Sequence, residues 1–175
     1  LDILKQLGYF PRFTRTKELA DDITPLMPVL KYVVDEYIKL GYKFDEIWLF
    51  FACAPLLEVD EILEAAKIYQ SLEPNRKLIA ITEYSAPVEW AFKLNKKTNF
   101  ISPVSTKKLE TRSQDIEKQY YDAGIFSIYS VNQIIINENW KNHENYYGYI
   151  LPKTKAIDID DEEDWMIAES LFKQL

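Results

Sequence analysis

Two aspartates near the end of the chain, Asp158 and Asp160, have the type and spacing of a metal-binding pair. They lie between an expected strand that ends near Pro152 and the acidic helix that closes the sequence. In an extended segment alternate side chains point the same way, so the two carboxylates would converge, and such a pair binds Mg²⁺. Alternatively, these acids and residues 161–163 cap the last helix and favour its positive end. The residues alone leave both interpretations open.

The composition of the chain excludes several other kinds of function. The formal net charge is -7, whereas a general nucleic-acid-binding protein needs clustered Lys and Arg to neutralise phosphates. One cysteine and one histidine cannot form a zinc site or an internal disulfide, so any metal must be bound through oxygen. No apolar run approaches the length of a membrane helix, and the start, LDILKQLGYF, lacks the pattern of a signal peptide. We therefore expect a cytoplasmic protein.

Hydrophobic periodicity predicts one α/β domain across the 175 residues. Apolar residues at helical spacing predict a helix from Pro25 to about Leu40, which Gly41 ends. The run from Phe44 to Ala54 is nearly all apolar, which is typical of a strand buried on both faces of a parallel sheet. The other expected elements are a helix over about 59–72, strands at 77–82, 124–131 and 148–152, and the final helix. Strand, helix and strand in succession favour a mostly parallel sheet flanked by helices.

Three segments that lie far apart resemble, in order, motifs of one enzyme family: LGYFPRFTRTKELADDIT, ETRSQDIEKQYYDAGIF and GYILPKTKAIDIDDEEDW. They are similar to the CMP-nonulosonic acid synthetases, which activate sialic-acid-type sugars as CMP esters. The resemblance implies a Rossmann-like nucleotide-diphospho-sugar transferase fold. It also implies that CTP reacts with a nonulosonic acid to give the CMP-sugar and pyrophosphate, assisted by Mg²⁺. Pseudaminic acid is the favoured sugar, with legionaminic acid and N-acetylneuraminic acid as alternatives.

The resemblance implies roles for individual residues. Asp158 and Asp160 match the family's Asp-x-Asp, which holds the magnesium that neutralises charge on the CTP phosphates. Arg112, Gln114 and Asp115 match a motif near the sugar and the nucleotide. There a guanidinium can pair with the sugar carboxylate and an amide can bind hydroxyls. A solvated polar turn is the alternative for this motif.

Gly124 continues the same motif into a strand, where a residue without a side chain lets the backbone approach a ligand closely. Cys53 and Ala54 occupy a strand end that lies beside the substrate in the family, and ligands collect at this edge of such sheets. Inert core is the alternative for Cys53, which has no evident base and is not expected to be a nucleophile. Tyr121 and Ile125 depart from the His and Gln that are commoner in the family.

Family members are usually homodimers in which an arm of one subunit approaches the partner's site. The irregular stretch at about 94–118 is the candidate arm. The family's Gly-rich N-terminal loop, which cradles the CTP phosphates, has no match in this sequence, and we expect the first strand or strands to be absent with it. A non-catalytic relative or an assembly module that retains the fold is the alternative of another class.

Overall fold

The computed structural model describes residues 2–74, 76–136 and 146–174, and within these it has five α-helices and six β-strands. In chain order they are α1 (Asp2–Gln6), α2 (Leu26–Lys39), β1 (Glu46–Phe50), α3 (Val59–Ser71), β2 (Lys77–Glu83), β3 (Phe92–Leu94), β4 (Ile101–Pro103), β5 (Tyr120–Ser130), α4 (Val131–Ile136), β6 (Tyr146–Ile150) and α5 (Glu162–Phe172). The chain forms two compact units: a first from segments 1–47, 73–76 and 129–145, and a second from 48–72, 77–128 and 146–175. None of the described helices is long and apolar enough to cross a membrane.

The main helix of the first unit is α2, and the helix predicted from the periodicity of residues 25–40 is confirmed. Leu30 and Val34 form its buried stripe, and the helix packs against α4. Gly41 ends it with a φ of 86°, and the backbone hydrogen bonds around this residue are those of a Schellman C-cap. Because this cap needs a left-handed residue, glycine is the residue that ends the helix without strain.

A four-stranded sheet with the order β1-β5-β2-β6 is the framework of the second unit. β2 pairs in parallel with β6, whereas β5 pairs antiparallel with β2. β5 is antiparallel to β1 as well, because the Phe51 N–H bonds to the Ile125 carbonyl while the Val131 N–H bonds to the Asp45 carbonyl. The sheet is therefore mixed. The α/β class is confirmed, but the expectation of a mostly parallel sheet holds only in that β1, β2 and β6 run in one direction.

The reversed strand explains why the sequence suggested more parallel pairing than exists. The expected crossover from β1 through α3 to β2 is present, but β5 lies between those two strands. The run over 124–131 is apolar and buried, and an apolar run has the same composition whichever way the strand points. Its existence was therefore predictable from composition, whereas its direction depends on pairing partners that are distant in the chain.

Apolar side chains from β2, β5 and α3 form the core of the second unit. Phe126 is fully buried, with its ring centroid 6.1 Å from that of Trp48 and 5.8 Å from that of Tyr149. Ala65 is also fully buried, which lets α3 approach the sheet closely. The other buried members are Leu78, Ala80, Ala123, Ile125, Ile128, Leu151 and Ala156. Burying one large apolar side chain contributes about 1.5–3 kcal/mol, so this cluster fixes the sheet.

The segment 151–161, here called the β6–α5 loop, carries the acidic pair and is tied to the sheet at its start. The Leu151 N–H donates to the Ile81 carbonyl at 2.8 Å. The buried Thr82 hydroxyl donates to the Leu151 carbonyl at 3.1 Å. Because both partners belong to β2, the loop leaves the sheet at a fixed point.

Lys155 ties the same loop to the beginning of α3. Its ammonium group bonds to the carboxylates of Glu58 and Glu61, and its side chain is only 17% exposed. Glu58 and Glu61 also form the capping box of α3. The Glu58 carboxylate accepts the backbone N–H of Glu61, and the Glu61 carboxylate accepts the backbone N–H of Glu58. One lysine therefore joins the loop to a helix end that has its own capping box.

We predict that the Glu61→Gln variant will be less stable at neutral pH and will match the wild type in acid. Burial raises the pKa of Glu61, but bonds from Lys155 and the Glu58 backbone outweigh this, so the pKa lies below its ordinary value of 4.5. The charged carboxylate therefore favours the folded state above its unfolded pKa, and this contribution is lost as the pH falls through the folded pKa. The wild-type Tm should exceed that of the variant by roughly 2–8 °C at about pH 7, and by much less near about pH 3.

Thermal unfolding followed by circular dichroism checks this prediction. The matched control is Glu169→Gln, which removes a carboxylate 3.4 Å from Lys173 in an exposed pair and should change Tm very little. A Tm difference for Glu61→Gln that stays constant from neutral to acid pH would contradict it.

Candidate active site

Three of the predicted site residues meet where β1, β5 and the β6–α5 loop come together. Cys53 follows β1, Gly124 belongs to β5, and Asp158 lies in the loop. The Ile159 N–H donates to the Cys53 carbonyl at 3.1 Å, and a Cβ placed on Gly124 would lie 2.5 Å from Oδ2 of Asp158. Ala54 packs against the hydrophobic core. The structure therefore brings Cys53, Gly124 and Asp158 together, and Ala54 lies on the core side, next to Cys53 in the chain.

Gly124 lies at an irregularity in the pairing of β5 with β2. Ile79 of β2 pairs with Ser127 of β5, and the next paired residues are Ile81 and Asp122. β5 therefore has more residues than β2 between these two pairs. Gly124 has a φ of 65°, and its N–H donates to the Asp122 carboxylate at 3.1 Å. A positive φ is a glycine conformation, and the extra residues carry the Gly124 main chain to the Asp158 side chain.

Asp158 has a carboxylate oxygen without a hydrogen-bond partner. Its Oδ2 lies against Gly124, and its Oδ1 is buried with no donor among the residues that the structure describes. A buried carboxylate oxygen without a partner costs free energy, which a cation or an ordered water would recover. This oxygen is the feature that fits a metal ion.

The Cys53 thiol faces the same carboxylate. Hydrogen bonding to Asp158, then burial and the negative charges of Asp158 and Asp160, raise the pKa of Cys53. A thiol with a raised pKa stays protonated at neutral pH and can donate a hydrogen bond.

Asp161 takes the capping role that was the alternative for the acidic pair. Its Oδ1 accepts from the Glu163 N–H at 2.9 Å and from the Asp164 N–H at 3.0 Å. Asp160 is exposed, and its N–H donates to the Asp164 carboxylate at 3.1 Å. The N-cap of α5 is therefore Asp161, and the cap does not use the carboxylates of Asp158 and Asp160.

The two carboxylates do not form a complete metal site made of protein ligands alone. Within the described parts of the chain, no group of three or more His, Cys, Asp or Glu side chains is arranged to hold a metal ion. Mg²⁺ keeps several waters and is usually bound by one or two carboxylates together with substrate phosphates. Asp158, with its unpartnered Oδ1, and Asp160, two residues further along, are therefore the side chains here that could contribute carboxylate oxygens to a divalent cation.

The predicted substrate motif forms a short 3-10 turn, Ser113–Asp115, on the surface. The Arg112 guanidinium donates to the Asp115 carboxylate at 2.9 Å and is 72% exposed. An exposed ion pair of this kind contributes little to stability, so the guanidinium is accessible to a ligand. Ser113 and Gln114 line a groove of about 250 Å³ together with residues 83–87 and 116–119.

Two contacts place this groove beside the β6–α5 loop. Lys153 of the loop donates to the carbonyl of Tyr84, a groove residue, at 3.1 Å. The Tyr84 ring lies 4.8 Å from that of Tyr121, three residues before Gly124. Among the described residues, the motif and the acidic cluster are thus joined through Lys153 and the two tyrosines rather than by hydrogen bonds of their own.

Sequence reasoning missed the residues that hold the site segments in place. Lys153 and Lys155 anchor the loop, and Glu89 accepts from the Gln119 amide at 3.2 Å and lies 3.9 Å from the Lys108 ammonium. Glu89 therefore joins the two sides of the motif. The lysines were signalled by their position just before the acidic pair. Glu89 gave no signal, because its partners are distant in sequence.

The chain is similar in sequence to known cytidylyltransferases. No protein-family model matches it. Pseudaminic acid cytidylyltransferase of Campylobacter jejuni subsp. jejuni serotype O:2 is 28% identical over 175 residues, which cover 99% of this chain and 73% of that protein. The enzyme of the same name from serotype O:23/36 is 27% identical with the same coverage. N-acylneuraminate cytidylyltransferase of Escherichia coli O18:K1:H7 is 24% identical over 163 residues, 88% of this chain and 35% of that protein.

These similarities extend over almost the whole chain, so they include the strand ends, the polar turn and the acidic loop that build the candidate site. The chain is thus similar, over nearly its whole length, to cytidylyltransferases of the CMP-nonulosonic acid synthetase family.

Proposed function

We propose that the protein is a cytidylyltransferase that converts CTP and pseudaminic acid to CMP-pseudaminic acid and pyrophosphate. The observation that carries this proposal is the Asp158 carboxylate, whose Oδ1 is buried without a partner close to a second, exposed carboxylate at Asp160. The two Campylobacter relatives, named pseudaminic acid cytidylyltransferase, support the choice of sugar.

The proposed reaction is a displacement at the α-phosphorus of CTP. The anomeric hydroxyl oxygen of the sugar forms the new P–O bond, the bond to the β-phosphate breaks, and pyrophosphate leaves while the hydroxyl proton passes to solvent. Such displacements require mainly positioning and electrostatic stabilisation from the protein. Asp158 and Asp160 would hold Mg²⁺, which neutralises charge on the phosphates when it is bound.

The sugar acid would bind on the side of the 3-10 turn. The Arg112 guanidinium, exposed and held by Asp115, would pair with the sugar carboxylate, since its fork matches two carboxylate oxygens. Gln114 lines the groove, where its amide would bind the polar substituents of the sugar. Arg112 and Gln114 thus orient the acid, and Asp115 orients Arg112.

Replacing the two acidic ligands tests the metal role. Asp158→Asn and Asp160→Asn should each lower kcat/KM by on the order of 100-fold, because the variant loses charge that stabilises the transition state. The assay measures pyrophosphate released from CTP, Mg²⁺ and pseudaminic acid. Asp161→Asn is the matched control, since it removes a charge from the same run but keeps a residue that caps helices equally well.

Full activity in the Asp158→Asn, Asp160→Asn double variant would refute the metal assignment. The same assay with legionaminic acid and N-acetylneuraminic acid tests the sugar. A higher kcat/KM with either of these than with pseudaminic acid would refute that part of the proposal.

We further predict that Arg112→Gln will raise KM for the sugar acid by about 10–100-fold, the scale of one charged hydrogen-bond pair. KM for CTP should change by less than about threefold, because the guanidinium binds the sugar. Steady-state kinetics with each substrate varied in turn gives both values. Lys39→Gln, which removes an exposed pair with Glu36 in the first unit, is the control and should leave both values unchanged. A larger effect on KM for CTP than on KM for the sugar would contradict the assignment.

We propose that the hairpin formed by β3 and β4, residues 92–104, is the arm through which two copies associate. Phe92, Leu94, Phe100, Ile101 and Val104 are 48–78% exposed, an unusual concentration of apolar surface for a short hairpin. The hairpin lies in the segment between β2 and β5, and it overlaps the arm expected at about 94–118. A second copy of the chain would bury this surface.

Replacing Phe100 and Ile101 by Asp should convert a dimer to a monomer, because both side chains are more than half exposed and would face the partner. Sedimentation velocity at micromolar concentration measures the change. Lys97→Asp, in the turn of the same hairpin, is the control and should leave the dimer intact. A wild-type protein that sediments as a monomer would rule this arm out as a dimer contact.

A further inference from the structure

The Asp158 side chain is enclosed by main chain and side chain from two other elements. The main chain of Gly124 covers one carboxylate oxygen. Hydrogen bonding to the same carboxylate is the largest cause of the raised pKa of the Cys53 thiol. The Cys53 carbonyl also accepts the N–H of Ile159, the residue between the two aspartates. The only buried oxygen of Asp158 without a partner in the described chain is Oδ1.

We infer that Gly124 and Cys53 are positioning residues that hold the Asp158 carboxylate as a cation ligand, an inference that rests on the metal-assisted reaction proposed above. Their role is to fix one oxygen so that the other stays available. Neither residue then needs to touch the substrate.

Gly124 is needed for a steric reason. A Cβ at this position would lie 2.5 Å from Oδ2 and 3.1 Å from Cγ of Asp158, so the carboxylate occupies the volume that any side chain would need. The space beside Gly124 that sequence reasoning assigned to a ligand is therefore filled by Asp158 itself. The φ of 65° adds a backbone requirement for glycine, but that requirement does not depend on Asp158.

Cys53 would act through the donor strength of its thiol. A thiol is a weak hydrogen-bond donor, so it can orient a carboxylate while leaving most of the charge available to a cation. The backbone bond from Ile159 to the Cys53 carbonyl fixes the loop at the same place. A side chain that keeps a donor here should preserve the arrangement, and one that lacks a donor should loosen it.

A double-mutant cycle on stability tests the contact without using activity. Gly124→Ala should lower Tm by several degrees in the wild type and by less than half as much in an Asp158→Ala background, because the added methyl group no longer meets the carboxylate. Gly41→Ala is the control: its φ is 86°, nothing lies within 4 Å of its Cβ position, and its cost should be equal in both backgrounds. An equal cost of Gly124→Ala in both backgrounds would overturn the inference.

Mn²⁺ binding, followed by electron paramagnetic resonance of the free ion in the presence of CTP, tests the consequence for the metal. Gly124→Ala and Cys53→Val should each weaken Mn²⁺ binding by about 10-fold, and Cys53→Ser should restore it to within about threefold of the wild type. Cys53→Val binding Mn²⁺ as well as Cys53→Ser would overturn the role of the thiol. If Asp158→Ala leaves Mn²⁺ binding unchanged while the stability cycle shows coupling, the metal role of Asp158 is refuted, and the positioning role with it.

Discussion

The contact between the Asp158 carboxylate and the main chain of Gly124 constrains everything around it. It requires β5 to deviate from regular pairing, it leaves no space for a side chain at position 124, and it requires the β6–α5 loop to return to the sheet at one point. The loop meets the last requirement through Leu151 at its start and Lys155 at its middle. Because the loop is fixed at two places, it can hold a carboxylate oxygen in a buried position without a partner. In a freely moving loop the same oxygen would turn towards water.

The two sides of the candidate site differ in how they are held. The acidic side is built from segments that are hydrogen-bonded to the sheet and to α3, so its geometry exists before any ligand arrives. The side proposed to bind the sugar rests on an exposed 3-10 turn, where Arg112 pairs with its neighbour Asp115 among the described residues. A rigid charged side and an adaptable polar side suit a reaction in which one substrate is bound through phosphates and the other through many weak polar contacts.

Much of the fold could be predicted from the sequence, because its signals are local. The stripe of apolar residues and Gly41 gave α2, and the apolar runs gave the strands over 46–50 and 77–83. The direction of β5 could not be predicted, since it depends on which strands it joins. The same division holds at the site. The Asp158 and Asp160 pair was visible from spacing and resemblance, whereas the anchoring role of Lys155 depends on Glu58 and Glu61, which are about a hundred residues away.

Three separate stretches of main chain converge on Asp158, and this restricts how the protein can change length. The end of β1, the irregular part of β5 and the β6–α5 loop must each arrive in register, and the irregularity already uses the extra residues that β5 possesses. An insertion or deletion in any of the three would move Gly124, Cys53 or Asp158 away from the others. We therefore expect insertions and deletions in this unit to be tolerated best in segments that do not touch the cluster, such as the turn of the β3–β4 hairpin.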